Sequence, residues 1–171
     1  MLKYVDTLVT FSEVPDEISL CINISGCPFK CEGCHSSYLQ EDTGEPLDLF
    51  VLYDLIEKNK GISCVCFMGG EPFDILHLAR KIKHNCYPLR AAWYTGYHEI
   101  PELIKKSNCI EKYPYLDYIK IGPYDKKAGP LTSPTTNQRL YHVKSNDREC
   151  ELEDITYKFW EKKASGLEID V

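Results

Sequence analysis

The chain alternates between short apolar runs and segments with helical spacing, and that alternation dictates an α/β fold. Residues 62–68 (Ile-Ser-Cys-Val-Cys-Phe-Met) form an unbroken apolar run, the pattern of a parallel strand buried on both faces. The segment before it, 48–59, places Leu49, Leu52, Tyr53 and Ile56 on one helical face and closes at Gly61. The segment after it opens with Gly69-Gly70-Glu71-Pro72 and repeats the spacing over about 73–84 with Ile75, Leu78, Ala79 and Ile82. Pro72 suits the first helical turn. Residues 89–94 predict a further strand ended by Thr95-Gly96, followed by a short helix with Pro101 near its start and Ile100, Leu103 and Ile104 on one face. Residues 115–121 predict the next strand. Upstream, Ile18, Leu20, Ile22 and Ile24 alternate along a strand over 17–24, and residues 4–11 look extended.

The expected order is therefore β–loop–α–β–α–β–α–β–loop–β, ending in a strand over 139–143. Repeated βαβ units with right-handed crossovers build a parallel sheet covered by helices. A complete eight-stranded β/α barrel takes about 250 residues, and this chain has 171. The expected fold is thus a partial (β/α) TIM-type barrel, in a single domain with its core over about 15–143. Residues 144–171 form a charged C-terminal extension, with a short helix predicted around Ile155, Phe159 and Trp160.

Charge and cysteine content narrow the function classes. The net charge is −6, so no broad positive field offers itself to nucleic acid. No apolar run nears the ~20 residues a bilayer span needs. Residues 1–6 lack the apolar core of a signal peptide, and the expected location is cytoplasmic. Nine cysteines are then anomalous, because a reducing compartment disfavours a disulfide framework. A metal or redox centre is the better expectation. Cys64 and Cys66 share one strand face and read as buried small hydrophobes. Cys21, Cys86, Cys109 and Cys150 read as structural or incidental.

Three cysteines, Cys27, Cys31 and Cys34, fall within eight residues as C-x3-C-x2-C. They lie in the loop 25–47, at the carboxyl ends of the predicted strands, where α/β folds bind ligands. Gly69–Glu71, Thr95–Gly96 and the Gly/Pro-rich loop 122–138 occupy the same edge. Three thiolates can hold a [4Fe–4S] cube and leave one iron without a protein ligand. Structural zinc normally takes four ligands, and His35, adjacent to Cys34, is badly placed to complete that tetrahedron. Glu71 suits a cap of the helix that starts at Pro72.

The cysteine spacing, followed by Gly69-Gly70-Glu71 after the next strand, resembles the radical S-adenosylmethionine (SAM) superfamily. That resemblance implies Cys27, Cys31 and Cys34 as ligands of one [4Fe–4S] cluster. It implies SAM on the open iron, and Gly69, Gly70 and Glu71 around the methionyl ammonium. Gly33 and His35 would lie near the adenine end, and Thr95 at the cofactor. Either Asp117 or Lys120 would approach the SAM carboxylate or a bound cation. The ending Cys31-Glu-Gly-Cys34-His35 and the approach Ile24-Ser-Gly-Cys27-Pro are similar to the activating enzymes of glycyl-radical proteins. Gly122-Pro-Tyr-Asp125 and Thr136-Asn-Gln-Arg139 resemble those acting on anaerobic ribonucleoside-triphosphate reductase. The partners so implied are that reductase's glycyl-radical subunit and a flavodoxin or ferredoxin as electron donor. The alternatives are activation of another glycyl-radical enzyme, a small-molecule reaction such as 7-carboxy-7-deazaguanine synthesis, and a non-catalytic zinc or iron–sulfur binding module.

Overall fold

The computed structural model describes residues 2–109, 114–146 and 149–164. The predicted alternation folds as an α/β architecture around one eight-stranded sheet, in the order β3-β1-β2-β4-β5-β6-β7-β8. The strands are β1 (Lys3–Thr10), β2 (Ser19–Ile24), β3 (Glu45–Pro46), β4 (Cys64–Met68), β5 (Arg90–Tyr94), β6 (Tyr118–Ile121), β7 (Arg139–Asn146) and β8 (Glu149–Asp154). The helices are α1 (Leu49–Lys58), α2 (Pro72–Asn85), α3 (Glu102–Ser107) and α4 (Lys158–Ala164).

The centre of the sheet is parallel and sequential. β2 pairs with β4, β4 with β5 and β5 with β6, with Cys21 opposite Cys66 and Cys66 opposite Ala92. Each step is bridged by one helix, as the helical spacing requires. Asp48 caps α1 by accepting from the Val51 N–H at 2.9 Å, and Pro72 opens α2.

The flanks differ from an all-parallel series. β1 pairs antiparallel with β2, and β7 pairs antiparallel with β6. A parallel return needs a crossover, usually a helix. The 122–138 segment forms none; it folds across the carboxyl edge, and the chain turns straight back. β7 then continues into a hairpin with β8. The edge strands β3 and β8 do not pair with each other among the described residues, so the sheet stays open.

Both faces are covered. Toward the helices, Leu20, Ile22, Val65, Phe67, Trp93 and Ile119 pack against Leu52, Ile75, Ile82 and Ile104. Each of these side chains is almost wholly buried, contributing about 1.5–3 kcal/mol apiece for the aliphatic ones. Leu103, expected on the same helical face, is 39% exposed instead. On the second face, Cys21, Cys64, Cys66, Ala92, Tyr94, Tyr118 and Leu140 pack with Val14, Ile155 and Phe159. Cys64 and Cys66 are thus buried thiols, and burial pushes both well above the ordinary thiol range. One expectation about cysteine is corrected. Cys109, just after α3, and Cys150, in β8, form a disulfide with Cα atoms 5.7 Å apart. The unforeseen β7–β8 hairpin brings the second cysteine to the first.

At the amino ends of the strands, the buried Glu17 carboxylate accepts from Ser63 Oγ, Arg90 Nη1 and the Tyr118 hydroxyl. This network ties β2, β4, β5 and β6 together at the edge opposite the clustered cysteines. Among the described residues no helix is long and apolar enough to cross a membrane.

Candidate iron–sulfur site

The cysteine loop leaves β2 and is pinned at its base. The Gly26 N–H donates to Glu41 O at 3.1 Å and the Cys27 N–H to Leu39 O at 2.8 Å. Leu39, buried in a short 3₁₀ turn (Ser37–Gln40), holds the far arm against the protein. Between these anchors the backbone bends sharply. Lys30 sits at φ 42° and Gly33 at φ 72°, and the Cys34 N–H donates to Cys31 O at 3.3 Å. Such left-handed positions cost little for glycine and more for lysine. The loop crown is clamped by Phe29, whose ring meets Tyr97 edge-on at 5.1 Å. Gly96 lies directly beneath that ring: a Cβ there would come within 2.5 Å of Phe29 Cγ.

Cys27, Cys31 and Cys34 line one cleft of about 150 Å³. The same cleft is walled by Gly69 and Gly70 after β4, Thr95 and Gly96 after β5, and Lys120 and Gly122 at the end of β6. Gln138, just before β7, completes it. Residues separated by more than a hundred positions thus meet at the carboxyl edge of the parallel strands. Gly69 (φ 105°) and Gly70 (φ 87°) have conformations that side chains rarely adopt. The Gly69 N–H donates to Tyr94 O and its carbonyl accepts from the Trp93 indole, both at 2.9 Å.

Lys120 is the buried cation of the site. Its ammonium donates to Gly122 O at 2.7 Å and Thr95 O at 3.4 Å. Burial lowers it to about 8, while the facing Cys31, Cys34 and Cys27 thiols and Glu13 pull the other way. At neutral pH it therefore remains charged, a fixed positive group beside three potential thiolates. Burial raises the Cys27 thiol, and the neighbouring Cys31 and Cys34 raise it further.

The remaining predicted residues stand elsewhere. Glu71 is the exposed N-cap residue of α2; its side chain makes no capping bond and instead accepts from the Tyr97 hydroxyl at 3.4 Å. Gly33 and His35 are exposed and do not line the cleft, but both adjoin Tyr124, which does, with His35 at 5.8 Å between ring centroids. Asp117 is separated from the cleft. It precedes β6, at the strand's amino end, where it accepts from Lys83 Nζ at 2.7 and 2.9 Å and from the Ala91 N–H at 2.9 Å. Of the two groups considered for one role, only Lys120 lines the cleft. Phe29 and Glu13 escaped sequence reasoning. The one acts through a contact with a distant glycine, and the other lies in a turn without a motif.

The sequence profile of a family described as a 4Fe–4S single cluster domain matches residues 18–143. The chain belongs to this family. Neither the curated proteins nor the solved structures contain a match. The matched span runs from β2 into β7 and holds the whole lining of the cleft. A 4Fe–4S single cluster domain needs thiolate donors. The loop supplies three half-exposed ones, whereas Cys21, Cys64 and Cys66 are buried. Among the described residues no three His, Cys, Asp or Glu side chains converge on one point as a single ion would require. A cube takes each thiolate at a separate corner. The donor chemistry, the shared cleft and the adjacent ammonium fit that group, and membership in this family is consistent with an iron–sulfur protein of the radical SAM kind.

Proposed function

We propose that this protein is a radical SAM activase. In this reading the open sheet is a partial (β/α) TIM-type barrel, and Cys27, Cys31 and Cys34 hold one [4Fe–4S] cluster with an iron left for SAM. When bound, the cluster supplies the electron that splits SAM into methionine and a 5′-deoxyadenosyl radical, which takes a hydrogen atom from a glycine Cα. The chain's own residues orient the substrate. Gly69 and Gly70 bring backbone close to the methionyl ammonium because no Cβ intervenes, with the Glu71 carboxylate at the rim. Lys120 Nζ binds the SAM carboxylate in a charge-assisted bond. Thr95 flanks that contact, and Gly33 and His35 face the adenine side of the loop. The glycine belongs to the glycyl-radical subunit of anaerobic ribonucleoside-triphosphate reductase, and a flavodoxin or ferredoxin delivers the electron.

The observation that carries this reading is the single cleft joining the three cysteines to Gly69, Gly70 and Lys120. The test is anaerobic reconstitution followed by dithionite and SAM, with and without the reductase subunit. About four irons and four sulfides per chain, release of 5′-deoxyadenosine and a glycyl signal by electron paramagnetic resonance are expected. One zinc and no iron would overturn the cluster, and no 5′-deoxyadenosine would overturn the activity. Replacing Cys27, Cys31 or Cys34 with Ala should abolish iron binding. Cys64→Ala should keep it, at a packing cost of about 1 kcal/mol.

A further inference from the structure

The second face of the sheet is where a polypeptide reaching the cleft from below would have to lie. The floor of the cleft belongs to it: Met68 and Tyr94 line the cleft and also pack in the cluster on that face. In this chain the face is occupied by the chain itself. Ile155 and Phe159 are buried there, and Trp160 packs beside them.

The occupying segment is rooted firmly at one end and lightly at the other. At its root, the Leu140 N–H donates to Thr156 Oγ1 at 2.9 Å and the Ile155 N–H to Leu140 O at 2.9 Å. Asp154 Oδ1 accepts from both the N–H and the hydroxyl of Thr156. Beyond Thr156 the polar ties run through single side chains. The Trp160 indole donates to Leu131 O at 3.2 Å, and Lys158 pairs with Asp16 at 2.6 Å between exposed side chains. Exposed pairs add little, and a helix of seven residues is far below the length that persists unaided. Leu131 belongs to the same 122–138 loop that supplies Gly122 and Pro123 to the cleft, so the segment touches a loop that also reaches the cleft.

We infer that α4 is a displaceable plug. Residues 158–161 cover the docking face for the glycine-bearing loop of the protein substrate, and docking swings them out about Thr156 while the root stays in place. This rests on the activase reading for the identity of the occupant, but not for the displaceability of the helix.

Hydrogen exchange on the cluster-loaded full chain tests both parts. Without partner, the Phe159, Trp160 and Glu161 amides, which donate to the Thr156 and Tyr157 carbonyls at the start of α4, should exchange at least about tenfold faster than amides of β4 and β5, by local opening. Exchange only at the rate of those strands overturns the plug. With the reductase subunit bound, the same three amides should lose protection while β6 keeps its own. Unchanged or increased protection in a complex that forms a glycyl radical also overturns it. If no complex and no radical form, the activase reading fails, and the partner-free measurement alone decides the plug. Phe159→Ala should bind the subunit more tightly than the parent chain if α4 competes for the face. Equal or weaker binding by this variant, with iron content unchanged, contradicts the competition.

Discussion

Gly96 is where a single methyl group should disconnect the cysteine loop from the sheet. A Cβ at this position would lie 2.5, 2.6 and 3.0 Å from three ring carbons of Phe29. Ordinary van der Waals contact begins near 3.4 Å, so in Gly96→Ala the ring must retreat by about 1 Å. It has little freedom to do so. Phe29 lies between two of the clustered cysteines, its ring abuts Tyr97, and the loop base is hydrogen-bonded to Glu41 and Leu39. Overpacking of this kind costs about 1–3 kcal/mol. A 1 Å shift also exceeds by several-fold the roughly 0.2 Å tolerance of a metal-ligand distance. Gly96→Ala should therefore fall in melting temperature and take up less iron and sulfide in anaerobic reconstitution. Phe29→Ala alone loses the aromatic pair, about 0.5–1.5 kcal/mol beyond its burial. In the double variant the added methyl finds room, so iron content should recover relative to Gly96→Ala, with a coupling energy of about 1–3 kcal/mol. Full iron loading and parental stability in Gly96→Ala, or strictly additive effects in the cycle, would refute the clamp.

Other expectations follow from the same geometry. In cluster-loaded protein, Lys120→Met should weaken SAM binding about tenfold or more, as expected for a lost charged hydrogen bond; equal affinity by equilibrium dialysis would refute its role. Lys83→Met leaves Asp117, a side chain only 11% exposed, without its cation, and urea unfolding should show a loss of about 3 kcal/mol. Asp117→Asn in that background should recover part of it. His142, stacked on Tyr118 at 5.0 Å, is held below the usual imidazole range by burial and by Arg90. The unfolded chain then takes up the proton first as pH falls through about 6.5. Stability should drop through that window until the folded imidazole is also charged, and His142→Gln should flatten the slope.

The parallel centre of the sheet was legible because its strands are apolar and its helices keep their spacing. β4 and α2 in particular announce themselves through the run before Gly69 and the periodic residues after Pro72. The flanks were legible only in part. β8 reads Glu-Cys-Glu-Leu-Glu-Asp, and residues 151–154 are exposed, so pairing rests on backbone bonds that leave no apolar alternation to detect. β7 could be foreseen as a strand, but its direction depended on a loop that crosses the carboxyl edge without forming a helix. In the site, Cys27, Cys31, Cys34, Gly69, Gly70, Thr95 and Lys120 all reach the cleft, since each lies near the carboxyl end of a parallel strand or in the loop that leaves it. Asp117 does not, because three residues along a strand is about 10 Å, enough to move a side chain from the ligand edge toward the opposite one. The Phe29–Gly96 contact joins two elements far apart in sequence, and no local signal encodes it.

The lining of the cleft begins at Cys27 and finishes at Gln138, and this has a consequence for biogenesis. A chain made from its amino terminus exposes its three site thiols long before their cage exists. At roughly 5–20 residues per second, the interval between Cys27 and Gln138 is on the order of 5–20 s. During that time the thiols are unshielded by Lys120 or Gly122 and open to oxidation or stray metals. In the proposed reading, loading of the cluster therefore waits for the finished β6–β7 corner.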